Sequence, residues 1–179
     1  MDDRSGGSEQ ALSLEEIANY HEDAISSLKF YFKEAPFSLE RFFDSTPRER
    51  AEELRMRIDE TALRSILITL AALEASFRID YETRCRRRLK DSLSRALRNV
   101  YRAREKKARL DEDIFEAWRD HVADSKGRIS DLRSAFKVRH WLAHGRYGER
   151  RPSASFDFED YYDLAVVVRK EFFSRSSDA

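Results

Sequence analysis

The chain has 179 residues with 34 Lys/Arg against 34 Asp/Glu, so its formal net charge is zero and bulk charge alone implies no polyanion partner. That length suits one domain with a sizeable core. Charged residues make up 38% and Gly and Pro number only 5 and 3, a composition that suits a soluble, mostly helical protein with salt-bridged outer faces.

Residues 1–11 are rich in Asp, Ser and Gly and read as a disordered tail, with no apolar core of a secretory signal. Ser13-Leu14-Glu15-Glu16 is a capping box that opens a helix to about Glu34, with Leu14, Ile17, Tyr20, Ile25, Leu28 and Phe32 near helical spacing. Ala35-Pro36 interrupts it. Thr46-Pro47-Arg48-Glu49 is a second start signal, and no Gly or Pro follows until about Arg88. One long helix is expected there, with Leu54, Ile58, Leu63, Ile66, Leu70, Leu73 and Phe77 directed inward. Its most apolar stretch, Ser65–Leu73, is far shorter than the roughly 20 residues of a membrane span.

A third helical stretch covers about Asp91–Ala108, with Leu93, Ala96, Leu97, Val100 and Tyr101 on one face. A short helix follows Asp111, carrying Ile114, Phe115 and Trp118, and Lys126-Gly127 is expected to break it. Ser130-Asp131 then caps another helix, which Gly145 ends, as glycine does by accepting a left-handed backbone. Residues 145–156 read as a loop, and Asp157 starts a last helix through Tyr161, Leu164, Val167 and Phe172. No alternating run resembles a strand. The expected fold is all-α, an antiparallel bundle of five or six helices in a single domain over 12–173, with a disordered tail at 174–179.

Two of the four histidines lie in Arg139-His140-Trp141-Leu142-Ala143-His144-Gly145. A histidine titrating near 6.5 can take or give a proton at neutral pH, help worth about 10²–10⁴-fold. An arginine's planar fork can hold two phosphate oxygens and stay charged throughout. Those parts suffice to cleave RNA without a metal. Five helical positions set Arg139 and His144 about 140° apart, so they would converge only where the helix ends at His144. One imidazole is not easily base and acid in the same turnover. His140 and His144 also have zinc-ligand spacing, but Trp141 replaces the glutamate of a His-Glu-x-x-His protease and no third ligand is obvious. In a plainer reading, Arg139 is structural and His144 is a helix C-cap that favourably meets the dipole. His21 and His121 read as surface or core-edge residues.

The Arg139-to-His144 stretch resembles the Arg-polar-x-x-x-His signature of the HEPN superfamily, helical domains that include many metal-independent endoribonucleases. The resemblance is specific over about ten residues and general over some 130. It implies that Arg139 holds the scissile phosphate, that His144 is the general base or acid, and that His140 orients the arginine or touches the substrate. It further implies a homodimer with the motif at a shared cleft, a toxin–antitoxin, stress or phage-defence setting, and an inhibitory partner such as a nucleotidyltransferase-like antitoxin. The alternative is a non-catalytic HEPN module that binds nucleotide, RNA or a protein partner. A purely structural bundle is a third.

Residues 84–109 carry twelve Lys/Arg against Asp91 and Glu105. Arg84, Arg88, Arg95, Arg98 and Arg102 fall near one helical stripe, which with Arg146, Arg150 and Arg151 offers RNA a path. The opposing possibility is a solvated face neutralised by Glu52, Glu53, Asp59 and Glu60. The lone cysteine, Cys85, excludes an internal disulfide and fits a reducing cytosol. Its arginine neighbours would lower its pKa and make it reactive, or it is a bystander thiol. The expectation is a cytoplasmic, cofactor-free, metal-independent endoribonuclease with RNA as its partner.

Overall fold

Reciprocal capping starts the first two helices. The Glu16 amide donates to Ser13 Oγ at 3.1 Å and the Ser13 amide to Glu16 Oε2 at 2.7 Å. This opens α1, Leu14–Glu34. The Thr46–Glu49 pair repeats the pattern, at 3.2 and 2.7 Å, with Pro47 in the first turn of α2, Pro47–Arg87. The computed structural model describes residues 12–34, 40–146 and 157–173. The two tails, the Ala35-Pro36 break and most of the loop after Gly145, including Arg150 and Arg151, lie outside the described residues.

The remaining elements are α3 (Ser92–Arg104), α4 (Glu116–His121), α5 (Ser125–Ala143) and α6 (Phe158–Val168). A wide helical turn, Leu110–Phe115, leads into α4, and another, Arg169–Phe173, continues α6. Every regular element among the described residues is helical, with no strand. None of these helices is long and apolar enough to cross a membrane.

At 41 residues, or about 60 Å, α2 is the axis of the fold and packs against α1, α3, α5 and α6. Contacts fix the directions. His21 meets Ser65 and Phe32 lies beneath Arg57, so α1 is antiparallel to α2. Arg84 meets Ser94 while the Tyr81 hydroxyl donates to the Glu105 carbonyl, so α3 is antiparallel too. Arg139 pairs with Glu74 and Arg146 with Glu60, which gives α5 the same sense. By contrast α6 runs parallel to α2, since Phe158 stacks on His21 and Phe172 packs at 6.0 Å from Phe77.

The inward face of α2 buries Ile66, Leu70, Leu73 and Phe77 completely. Phe77 meets Phe115 and Phe173 edge-on at 5.0 Å, and Trp118 stacks on Phe172 at 4.6 Å. Each such aromatic burial contributes about 1.5–3 kcal/mol, with the edge geometry adding to it. Tyr20, although near helical spacing with Leu14 and Ile17, is 60% exposed.

Two boundaries differ from expectation. Lys126-Gly127 does not separate α4 from α5: the break is the three-residue turn at 122–124, with Asp124 at φ +60°, and α5 starts at Ser125. Ser125 Oγ donates to the Trp118 and Val122 carbonyls at 2.9 and 2.8 Å, tying the turn to the core. Gly127 therefore sits in a first turn, where its low helix propensity matters little. Ser130 and Asp131 lie inside α5 rather than at its cap. In α3 the helix stops at Arg104, because Glu105 takes a φ of +48° and a tight turn, Glu105–Lys107, follows.

Candidate active site

The motif residues occupy the end of α5, and its termination is a Schellman closure. The Gly145 amide donates to the Leu142 carbonyl at 3.2 Å and the Arg146 amide to the Trp141 carbonyl at 3.0 Å. Gly145 adopts φ +69°, and a Cβ there would meet nothing within 4 Å, so its glycine serves the backbone conformation rather than a close approach.

His144 is the cap residue, its amide donating to the His140 carbonyl at 3.1 Å. One turn apart, the His140 and His144 rings lie with centroids 4.2 Å apart and planes at 53°, both side chains exposed. Arg139 points elsewhere. Its Nη2 lies 3.0 Å from Glu74 Oε2 on α2, its side chain is 34% exposed, and its buried Nε has no hydrogen-bond partner. Ending the helix at His144 thus pairs the two histidines with each other, while the arginine turns toward α2. No hydrogen bond or ion pair joins Arg139 to His144 within the chain. Arg146 is also engaged by α2: both Glu60 carboxylate oxygens accept from its Nη2, at 2.7 and 2.8 Å, and its guanidinium covers the Trp141 ring at 5.8 Å.

The basic stretch divides differently from the expected stripe. Arg84 and Arg88 belong to the end of α2, with Arg88 at φ +53° closing the helix, whereas Arg95, Arg98 and Arg102 lie on α3. Arg84 is a correction: it is buried, not outward. Its Nε donates to Asp80 at 2.7 Å, its Nη1 meets Ser94 Oγ at 3.1 Å and Asp91 at 3.4 Å, and its guanidinium lies 5.4 Å from the Trp118 ring centre. Burial raises the Asp91 pKa, but hydrogen bonds from the Ser94 hydroxyl and amide and the charge of Arg84 outweigh it and leave it lowered. Arg84 is therefore unavailable to a phosphate backbone.

Arg86, Arg88, Arg98, Arg102 and Lys106 border a groove of about 650 Å³ between α2 and α3, with Tyr101, Cys85 and a single carboxylate, Glu82, in its wall. Arg98 Nη1 also donates to the Leu89 carbonyl. Arg95 is exposed and does not line it. The acidic neighbours of the basic stretch are Asp80, Asp91, Glu112 and Asp113 rather than Glu52, Glu53, Asp59 and Glu60. Burial pushes the Cys85 thiol up, and Arg98 opposes that without reversing it, the opposite direction to the lowering its arginine neighbours suggested.

Groove and motif are not contiguous in one chain. Arg139 and Arg146 dock at Glu74 and Glu60, while the groove begins at Glu82, which places about 12–33 Å of α2 between them at 1.5 Å per residue. Sequence order could not show this, because Glu60 and Glu74 lie 86 and 65 positions before their arginines.

His21 is half-buried, its Nδ1 3.0 Å from Ser65 Oγ and its ring stacked on Phe158 at 4.1 Å. His121 is exposed and bonds Ser92 Oγ at 2.7 Å. Among the described residues no group of three or more His, Cys, Asp or Glu is placed to hold a metal ion. Compared with known protein families, curated proteins and solved structures, the chain matches none of them.

Proposed function

We propose that the chain is a metal-independent endoribonuclease of HEPN type. The single observation carrying this is the pair of exposed imidazoles at the capped end of α5, His140 and His144, in ring contact at 4.2 Å and next to Arg139 in the chain. Two adjacent imidazoles supply both proton-transfer roles. One neutral ring takes the 2′-hydroxyl proton as the oxygen attacks phosphorus, and one protonated ring returns a proton to the departing 5′-oxygen. Arg139 stabilises the charge that gathers on the phosphorane, after exchanging its Glu74 contact for a phosphate oxygen. The products are a 2′,3′-cyclic phosphate and a 5′-hydroxyl. The groove cations, exposed Arg88 and Arg102 and half-buried Arg98, are the RNA contacts in this reading, with Arg95 beside them. A toxin–antitoxin or phage-defence setting with an inhibitory, nucleotidyltransferase-like partner accompanies it by resemblance.

One observation favours a second reading, a non-catalytic module binding nucleotide, RNA or protein: both arginines that flank the histidines are already held by α2 carboxylates. The test is cleavage of a mixed RNA pool in EDTA by the wild type, His140→Ala and His144→Ala. Cleavage by the wild type that falls by about 10²-fold or more in each variant, leaving cyclic phosphate ends, is expected. No cleavage by a well-folded wild type would give the site to the binding module. Equal cleavage by all three would place the chemistry elsewhere.

A further inference from the structure

Two of the histidines already have a ring nitrogen committed, His21 Nδ1 to Ser65 Oγ at 3.0 Å and His121 Nδ1 to Ser92 Oγ at 2.7 Å. His140 and His144 differ. Both are exposed, their ring centroids are 4.2 Å apart, and among the described residues no hydrogen bond or ion pair takes any of their ring nitrogens. The bond from the His144 amide to the His140 carbonyl, at 3.1 Å, keeps helical spacing between them although α5 ends there.

Two imidazoles that share a tetrahedral metal at about 2.0–2.1 Å per bond hold their coordinating nitrogens about 3.3 Å apart. Exposed rings already in contact reach that separation by turning about their side-chain bonds, and histidines four apart on one helix face ligate a metal without bending the helix. We propose that His140 and His144 form a two-imidazole site for a divalent transition-metal cation of the zinc and nickel class, and that the bound ion shuts the candidate active site down.

The surroundings select that class of cation. The α2 carboxylates that meet this end of α5 are engaged by arginines: Glu74 by Arg78 and Arg139, Glu60 by Arg64 and Arg146. The pair therefore offers nitrogen ligands, which suit zinc or nickel, whereas magnesium and calcium require oxygen. Water completes the coordination shell, and the exposed position lets the ion enter directly.

Inhibition follows from the chemistry of the occupied rings, and this consequence rests on the endoribonuclease reading. A nitrogen lone pair bonded to metal accepts no proton from the 2′-hydroxyl. A ring bound in its neutral form cannot be the imidazolium that donates to the 5′-oxygen. The ion is thus an inhibitor rather than a cofactor.

Isothermal titration of the full chain with Zn²⁺, Ni²⁺ and Mg²⁺ tests the site without reference to cleavage. Zn²⁺ and Ni²⁺ should bind once per chain, and Mg²⁺ should not bind. His140→Ala and His144→Ala should each weaken binding by about 10-fold or more, since even the loss of an outer-shell partner costs that much. Helical circular dichroism should be unchanged, because both side chains are exposed, and His121→Ala should bind as the wild type does. A wild type that binds neither Zn²⁺ nor Ni²⁺ overturns the site. So does binding that survives undiminished in either variant, or that Mg²⁺ equals. In the RNA assay, Zn²⁺ should abolish the cleavage seen in EDTA and excess EDTA should restore it; cleavage untouched by saturating Zn²⁺ overturns the inhibition. A chain that binds Zn²⁺ through both histidines but never cleaves RNA keeps the metal site and loses the endoribonuclease reading instead.

Discussion

Arg84→Ala is expected to destabilise the fold by about 3–5 kcal/mol, the usual effect of removing one partner from a buried ion pair. The structure supports a value in that range. Arg84 and Asp80 side chains are only 10% and 9% exposed, so little solvent screens the carboxylate once the guanidinium is gone. The same change removes donors from Ser94 and Asp91 and the cation over Trp118, which links α2, α3 and α4 at one point. At about 2–4 °C per kcal/mol for a chain of this size, the melting midpoint should fall roughly 6–20 °C. Urea denaturation followed by circular dichroism measures it, with Arg88→Ala, an exposed helix-end residue, as the comparison. A loss for Arg84→Ala below about 1 kcal/mol, the range of exposed pairs, would show that the cluster is solvated and that Arg84 is a surface cation after all.

Glu74→Gln removes the carboxylate that competes with phosphate for Arg139, so RNA affinity should rise several-fold in a filter-binding titration; unchanged binding would detach Arg139 from the site. Burial lowers the His21 pKa, against the opposing charges of Glu22 and Asp157. The folded state therefore resists protonation more than the unfolded chain, and His21 should cost stability as pH falls through about 6.5, the unfolded value. His21→Gln should flatten that part of a stability–pH curve, and an identical slope in both proteins would exclude His21 as its origin. Gly145→Ala should cost about 1 kcal/mol from its positive φ alone, readable as a small shift of the thermal midpoint, and a neutral result would mean that the closure of α5 does not need that conformation.

The sequence by itself determined the helical class and the starts of α1, α2 and α6, because capping residues act on amides two or three positions away and need no tertiary partner. It also showed where α5 ends, since the Gly145 closure is local. The start of α5 escaped it: Gly127 resembles a breaker, but the turn is set earlier by Ser125 bonding carbonyls of the preceding helix. The candidate site was legible as residue types and spacing, and not as geometry. Helical periodicity places His140 and His144 one turn apart, yet only the docking of α5 on α2 decides that Arg139 answers Glu74 and that Arg146 answers Glu60. The basic run shows the limit most clearly. A count of charges treats Arg84, Arg98 and Arg102 alike, but the turn between α2 and α3 folds one into a buried ion pair and aims the others at a groove. Local hydrogen bonds write themselves into short sequence patterns. The electrostatic environment of an arginine is set by whichever distant helix packs against it.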